Sequence, residues 1–168
     1  MLTANELLGF MSPAMANDIL TYAFESDKPT YKATLNAVAD ARKVRGVFLE
    51  RQSRPQRHAM MASTLSRPGL DAVAGGLIRA WLVQKHKAML VDFLNALGID
   101  NKDGVVDDLP PSVDDEKLKA AVENLLAHYH HETVAIYLNA FNDMNQANWP
   151  NLKAMLETDP RLQLGAHS

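Results

Sequence analysis

Four neighbouring side chains, His128, His130, His131 and Glu132, come nearest in this sequence to the types and spacing of a reactive centre. On an unbroken helix, residues three and four apart point the same way, so His128 would share a face with His131 and Glu132. Imidazole and carboxylate at that spacing can hold Zn²⁺ or a di-iron centre. The apolar pattern argues against the unbroken helix. Leu118, Val122, Leu125 and Tyr129 form one stripe, whereas Val134, Leu138 and Phe141 form another, shifted in phase. The shift predicts a tight turn near His130 that leaves three imidazoles facing water. The expectation is therefore no bound metal and no cofactor. The alternative is a small helical metal-binding protein or enzyme whose ligands are His128, His131 and Glu132.

The His128-x-x-x-Glu132 spacing resembles one ligand pair of the hemerythrin-like proteins over these five residues. That resemblance implies further His pairs on other helices, and neither His58 nor His86 has a second His four residues away. His58 lies in line with Met61, Ala62 and Leu65, and His86 with Leu90, Phe93 and Leu97. Each reads as a boundary residue on an apolar face, because proton shuttling needs a carboxylate or nucleophile that cannot be placed beside either one. The run Asp100, Asn101, Lys102, Asp103, Gly104 suggests a calcium loop at first glance. With Gly104 at the sixth position, however, Ile99 and Pro110 fall where the first and last carboxylates are required. Gly75-Gly76 has no phosphate-loop sequel and no Gly-x-Ser-x-Gly elbow occurs, so nucleotide hydrolysis and α/β-hydrolase chemistry have no support. Every catalytic constellation lacks a member, and the expectation leans away from an enzyme.

What remains is a basic segment: Arg42, Lys43, Arg45, Arg51, Arg54, Arg57 and Arg67, against Glu50 alone. The planar fork of Arg suits carboxylates and phosphates. Burying so many cations would cost several kcal/mol each unless they were paired, so the segment is expected to reach water or an acidic surface. Arg51, Arg54, Arg57 and Arg67 are the expected partner contacts. The leading reading is a non-enzymatic, soluble helical protein that recognises a protein partner or a second copy of itself through acidic and basic surfaces. An Arg-mediated nucleic-acid binder is the third reading, made unlikely by an interleaved aromatic set limited to Phe48 and by a pI near 6.0.

Charge is unevenly spread along the chain. Residues 42 to 67 carry seven basic side chains and one acidic, whereas residues 100 to 168 carry five basic and twelve acidic. A chain of 168 residues with 47% hydrophobic and 22% charged residues is one globular domain by size and composition. Cysteine is absent, which excludes disulfide scaffolds, thiolate zinc sites and Cys nucleophiles. The longest stretch free of Lys, Arg, Asp and Glu, from Leu7 to Asn17, is too short for the roughly 20 residues that span a bilayer. A soluble, cytoplasmic protein with no membrane contact is expected.

Positioning these side chains falls to helices, since apolar residues recur three or four apart almost throughout. The predicted fold is all-α: a multi-helical bundle of about nine short helices, arranged as antiparallel αα-hairpins and not as a regular solenoid. Thr3 with Glu6, Ser12 with Pro13, and the Ser-Arg-Pro tripeptides at 53–55 and 66–68 read as helix starts. A break is predicted between Gln84 and Lys87, and close approach of a neighbouring helix is expected at Gly75 and Gly76. An acidic loop near 99–113 is expected to separate two helical sub-bundles within a single domain covering 1–168. Asp159 onward reads as a frayed tail.

Overall fold

The computed structural model describes residues 2–144 and 146–165. Helix accounts for 72% of the described residues, in ten α-helices and with no strand among them, so the fold is all-α as its apolar spacing predicts. The helix starts follow from local chemistry. Thr3, Ser12, Asp27, Ser53 and Asp114 each accept a hydrogen bond from the backbone N–H three residues on, at 3.1 to 3.4 Å. Each such cap is worth about 1 kcal/mol. The second Ser-Arg-Pro does not start a helix. Ser66 stands just past the end of one, its hydroxyl donating back to the Ser63 carbonyl, and the next helix begins at Asp71.

The chain divides into two compact units between Trp81 and Leu82. The first contains α1 (Ala4–Phe10), α2 (Pro13–Ser26), α3 (Lys28–Ala41), α4 (Gly46–Glu50), α5 (Arg54–Leu65) and most of α6 (Asp71–Lys85). Within it α2 packs on α3 and α5, α5 also meets α1 and α3, and α4 lies on α3. Leu7, Ile19, Leu20, Val38, Leu49, Met61 and Leu65 are buried there. Helix α3 ends with Lys43 in the left-handed region at φ 57°, and the Lys43 and Val44 amides return to the Asp40 and Ala39 carbonyls. That double bond back into the last turn redirects the chain into α4. Helix α4 is the one the spacing did not predict, because five residues are too few to show a period.

The second unit holds α7 (Lys87–Ala96), α8 (Asp115–His128), α9 (His131–Asn139) running into a π turn at Ala140–Met144, and α10 (Pro150–Thr158) with a 3-10 turn at Pro160–Leu162. Phe93, Tyr137, Phe141 and Trp149 form an edge-to-face cluster with successive centroids 5.1 to 5.9 Å apart. Helices α8 and α9 are separated by extended backbone at Tyr129 and His130, the turn that the phase shift predicts. The expected tail is pinned as far as Leu162, which is buried, and Arg161 pairs with both Glu123 and Asp159. Residues 166–168 of that tail lie outside the described residues.

The stretch 99–113 sits inside this second unit and is held at several points. The Lys102 and Val105 backbones pair in both directions, at 2.8 and 3.0 Å, around Asp103 and Gly104, which have φ 54° and 87°. Both central residues in the left-handed region make a primed hairpin turn. Asn101 braces it by accepting from the Gly104 amide and donating to Asn95. Trp149 Nε1 donates to the Pro110 carbonyl at 2.9 Å and Asn151 Nδ2 to the Val113 carbonyl at 3.0 Å. The loop is therefore an ordered surface.

Two glycines make opposite predictions. A Cβ on Gly104 would stand 2.7 Å from the Leu90 Cβ, in a left-handed backbone, so Gly104→Ala is expected to lower unfolding free energy by about 1 to 3 kcal/mol. No neighbour approaches Gly76, contrary to expectation, and Gly76→Ala in mid-helix should raise it by about 0.5 to 1 kcal/mol. Urea unfolding of both variants checks the pair.

Candidate functional site

The first unit holds a chain of four polar side chains drawn from three helices, in which Arg57, Tyr31 and His58 are buried and Asn17, at the end, is exposed. Arg57 and His58 lie on α5, Tyr31 on α3 and Asn17 on α2. Arg57 Nε–H donates to the Tyr31 hydroxyl at 2.7 Å, and that hydroxyl lies 3.0 Å from His58 Nε2. His58 Nδ1 lies 3.1 Å from Asn17 Oδ1. Arg can only donate, so the tyrosine hydrogen points at His58, Nε2 must accept, and the imidazole proton sits on Nδ1 facing Asn17. One direction of donation runs through all four groups.

Burial, reinforced by the Arg57 and Arg54 cations, lowers the His58 pKa to about 4. Burial raises that of Tyr31, against the pull of Arg57. His58 is 1% exposed and neutral at pH 7, and both its nitrogens are occupied. A general base needs a free lone pair and a proton source in reach; here the lone pair is spent on Tyr31. A groove of about 450 Å³ beside the network is lined mainly by small and apolar residues, among them Leu8, Met11, Ala16 and Ala62, and touches Asn17 and His58.

The far side of Arg57 explains what the network positions. Its Nη1 donates to the carbonyls of Glu50 at 3.2 Å and Gln52 at 3.5 Å, at the end of α4. A helix leaves its last four carbonyls without intrahelical partners, and in α4 all four are taken. Val47 O accepts from the Arg51 amide, Leu49 O from the Gln52 amide, Phe48 O from Gln52 Nε2 and Glu50 O from Arg57. Leu49 is fully buried and anchors the opposite face. The consequence is a short helix held at its C-terminus that presents Val47 and Phe48 to solvent at 51% and 47% exposure. Arg51 follows Phe48 by three residues and Val47 by four, and so shares their face, while Arg45 directly precedes the helix.

The expected partner contacts separate on this geometry. Arg51, Arg54 and Arg67 are exposed, whereas Arg57 is buried, contrary to expectation, because neutral oxygens on α3 and α4 and the Phe24 ring receive its guanidinium. Arg54 stacks 4.2 Å over the Phe24 ring and lies 3.9 Å from Glu25, while Arg42 donates to Thr64 Oγ1. In the alternative ligand set, His128 ends α8 with Nδ1 against the Asn124 carbonyl, and His131 and Glu132 open α9 beyond the turn. Among the described residues no three His, Asp or Glu side chains are grouped so as to hold a metal ion.

Sequence spacing had two usable signals for the network: His58 lies in line with Met61, Ala62 and Leu65, and Arg57 precedes Met61 by four and Thr64 by seven, the spacing of a core-facing position. Nothing local marks Asn17. Val47-Phe48 is an apolar pair between Arg45 and Arg51, legible only once a helix is known to lie there. No family model matches this chain, and no curated protein or solved structure matches it either.

Two outcomes follow for stability. The unfolded chain protonates His58 as pH falls through about 6.5, while the folded protein resists until about 4. The contribution of the neutral imidazole is therefore complete above pH 6.5 and lost between 6.5 and 4, an effect of roughly 3 kcal/mol. Denaturant unfolding at pH 7 and pH 4 should show His58→Gln losing less stability over that interval than wild type; equal losses would contradict the assignment. Arg57→Ala strands the Glu50 carbonyl and is expected to cost about 2 to 4 kcal/mol. Arg54→Ala, which removes an exposed cation–π contact, should cost about 0.5 to 1 kcal/mol in the same assay.

Proposed function

We propose that this chain is a non-enzymatic interaction protein whose contact surface is α4, and that the surface recognises an acidic, partly apolar protein face. The observation that carries the reading is the exposure of Val47 and Phe48 side by side on a helix whose other face and C-terminus are fixed. Leaving a Phe and a Val half in water forgoes apolar burial worth on the order of 1 kcal/mol or more, and paired exposed apolar groups are typical of contact surfaces. Arg45 and Arg51 beside them set the sign of the partner, and exposed Arg54 and Arg67 extend the positive field.

A non-enzymatic role is supported by the buried Tyr31 hydroxyl and His58 imidazole, whose donor and acceptor positions are taken up within the network. No helix among the described residues is long and apolar enough to cross a membrane, and the absence of cysteine is compatible with a reducing cytoplasm. A protein partner is favoured over nucleic acid because the apolar pair is aliphatic and aromatic together, with Phe48 as the one base-stacking ring between the two arginines.

An array of synthetic peptides that place Leu, Val or Phe among Asp and Glu tests the reading. Wild type is expected to bind such peptides, with affinity falling about tenfold or more in Phe48→Ser and in Arg45→Glu/Arg51→Glu. Binding that ignores both substitutions, or tighter binding to a single-stranded oligonucleotide than to any peptide, would overturn it.

A further inference from the structure

The second unit carries a surface with the opposite charge and the same apolar character. Residues 100–108 hold four acidic side chains, Asp100, Asp103, Asp107 and Asp108, against Lys102 alone, while residues 42–51 hold four basic side chains against Glu50 alone. All four aspartates are exposed. Among them Val105 is 36% exposed, at the end of the primed turn. With Phe10, the pair on α4 and this valine make up the large apolar residues found exposed among the described residues. The aspartates therefore flank, along the chain, one of the few apolar side chains that the fold leaves in water.

Resting on the α4 reading, we infer that the acidic partner is a second copy of this chain, with Val47 and Phe48 of one copy seated on Val105 and the aspartates that flank it in the other. Both surfaces are ordered before they meet. The α4 side is clamped by Arg57, and the acidic turn is clamped by Asn101, by the close fit of Gly104 against Leu90, and by Trp149 on the Pro110 carbonyl. Surfaces already fixed lose little freedom on contact, so modest apolar area is enough for a measurable association. When each copy gives its α4 to the loop of the other, the interface is isologous and closes as a two-fold dimer; when only one of the two contacts forms, it is heterologous and extends as a ring or a chain.

Charge exchange tests this on the full-length protein. Sedimentation across the micromolar to near-millimolar range is expected to show wild type associating at about 0.1 M salt and coming apart at about 1 M, as the screening length shrinks from about 10 Å to about 3 Å. Arg45→Glu/Arg51→Glu and Asp107→Lys/Asp108→Lys should each be folded by circular dichroism and monomeric when alone. Mixed together, the two variants should associate again, because each reversed surface then finds its complement. Phe48→Ser, which leaves every charge in place, should weaken self-association about tenfold. A wild type that stays monomeric throughout, or a mixture that stays monomeric while wild type associates, overturns the inference. Monomeric wild type that still binds the acidic peptides would dismiss the second copy and leave the α4 reading standing, whereas loss of both would dismiss the α4 reading itself.

Discussion

A guanidinium buried without a carboxylate is the constraint around which the first unit is organised. Arg57 is 8% exposed, and a cation so placed is tolerable only if fixed dipoles replace the water it gave up. The Tyr31 hydroxyl and the Glu50 and Gln52 carbonyls are those dipoles, the first from α3 and the other two from the end of α4. Satisfying one side chain therefore ties α3, the end of α4 and the start of α5 together. The same hydroxyl passes the polarity on to His58, which stays neutral because burial, and after it the Arg57 and Arg54 cations, disfavour the charged form. Phe24 covers the group from the side, edge-on to Tyr31 at 5.2 Å and beneath both Arg54 and Arg57.

This arrangement stabilises little by itself, because most of the hydrogen-bond energy offsets desolvation. Its effect is on geometry. Five residues cannot hold a helix in water, and α4 persists because Leu49 is buried beneath it and its terminal carbonyls are occupied. The apolar pair it carries is thereby presented on a fixed base. The acidic turn of the second unit reaches the same end by other means, with a tight glycine contact and side-chain donors from α10 and its approach in place of a buried charge.

The sequence was legible wherever causes lie within one helical turn. The caps at Thr3, Ser12 and Ser53 and the break after Lys85 are set by residues next to them and could be read directly. The turn at Tyr129 and His130 showed as a change of apolar phase. Where causes lie far away, the reading failed. Ser66-Arg67-Pro68 repeats Ser53-Arg54-Pro55, yet Ser66 is already taken up as the end of α5. Arg57 looked like one of seven surface cations because its partner Tyr31 is 26 residues distant, and nothing local announced that Trp149 and Asn151, 39 and 38 residues beyond their carbonyl partners, hold the irregular 99–113 loop. The tail was misjudged for the same reason: Arg161 is secured by Glu123.

Arg57 holds α4 in place, and amide hydrogen exchange reports that most directly. The Arg51 and Gln52 amides, bonded to the Val47 and Leu49 carbonyls, close the last turn of α4. In wild type they are expected to exchange only with opening of the α3–α5 core. In Arg57→Lys, which keeps the charge but loses the fork, they should exchange at least about tenfold faster while amides in the middle of α3 and α5 change far less. Equal acceleration across all three helices, or none in α4, would contradict the claim that this guanidinium fixes the presenting surface.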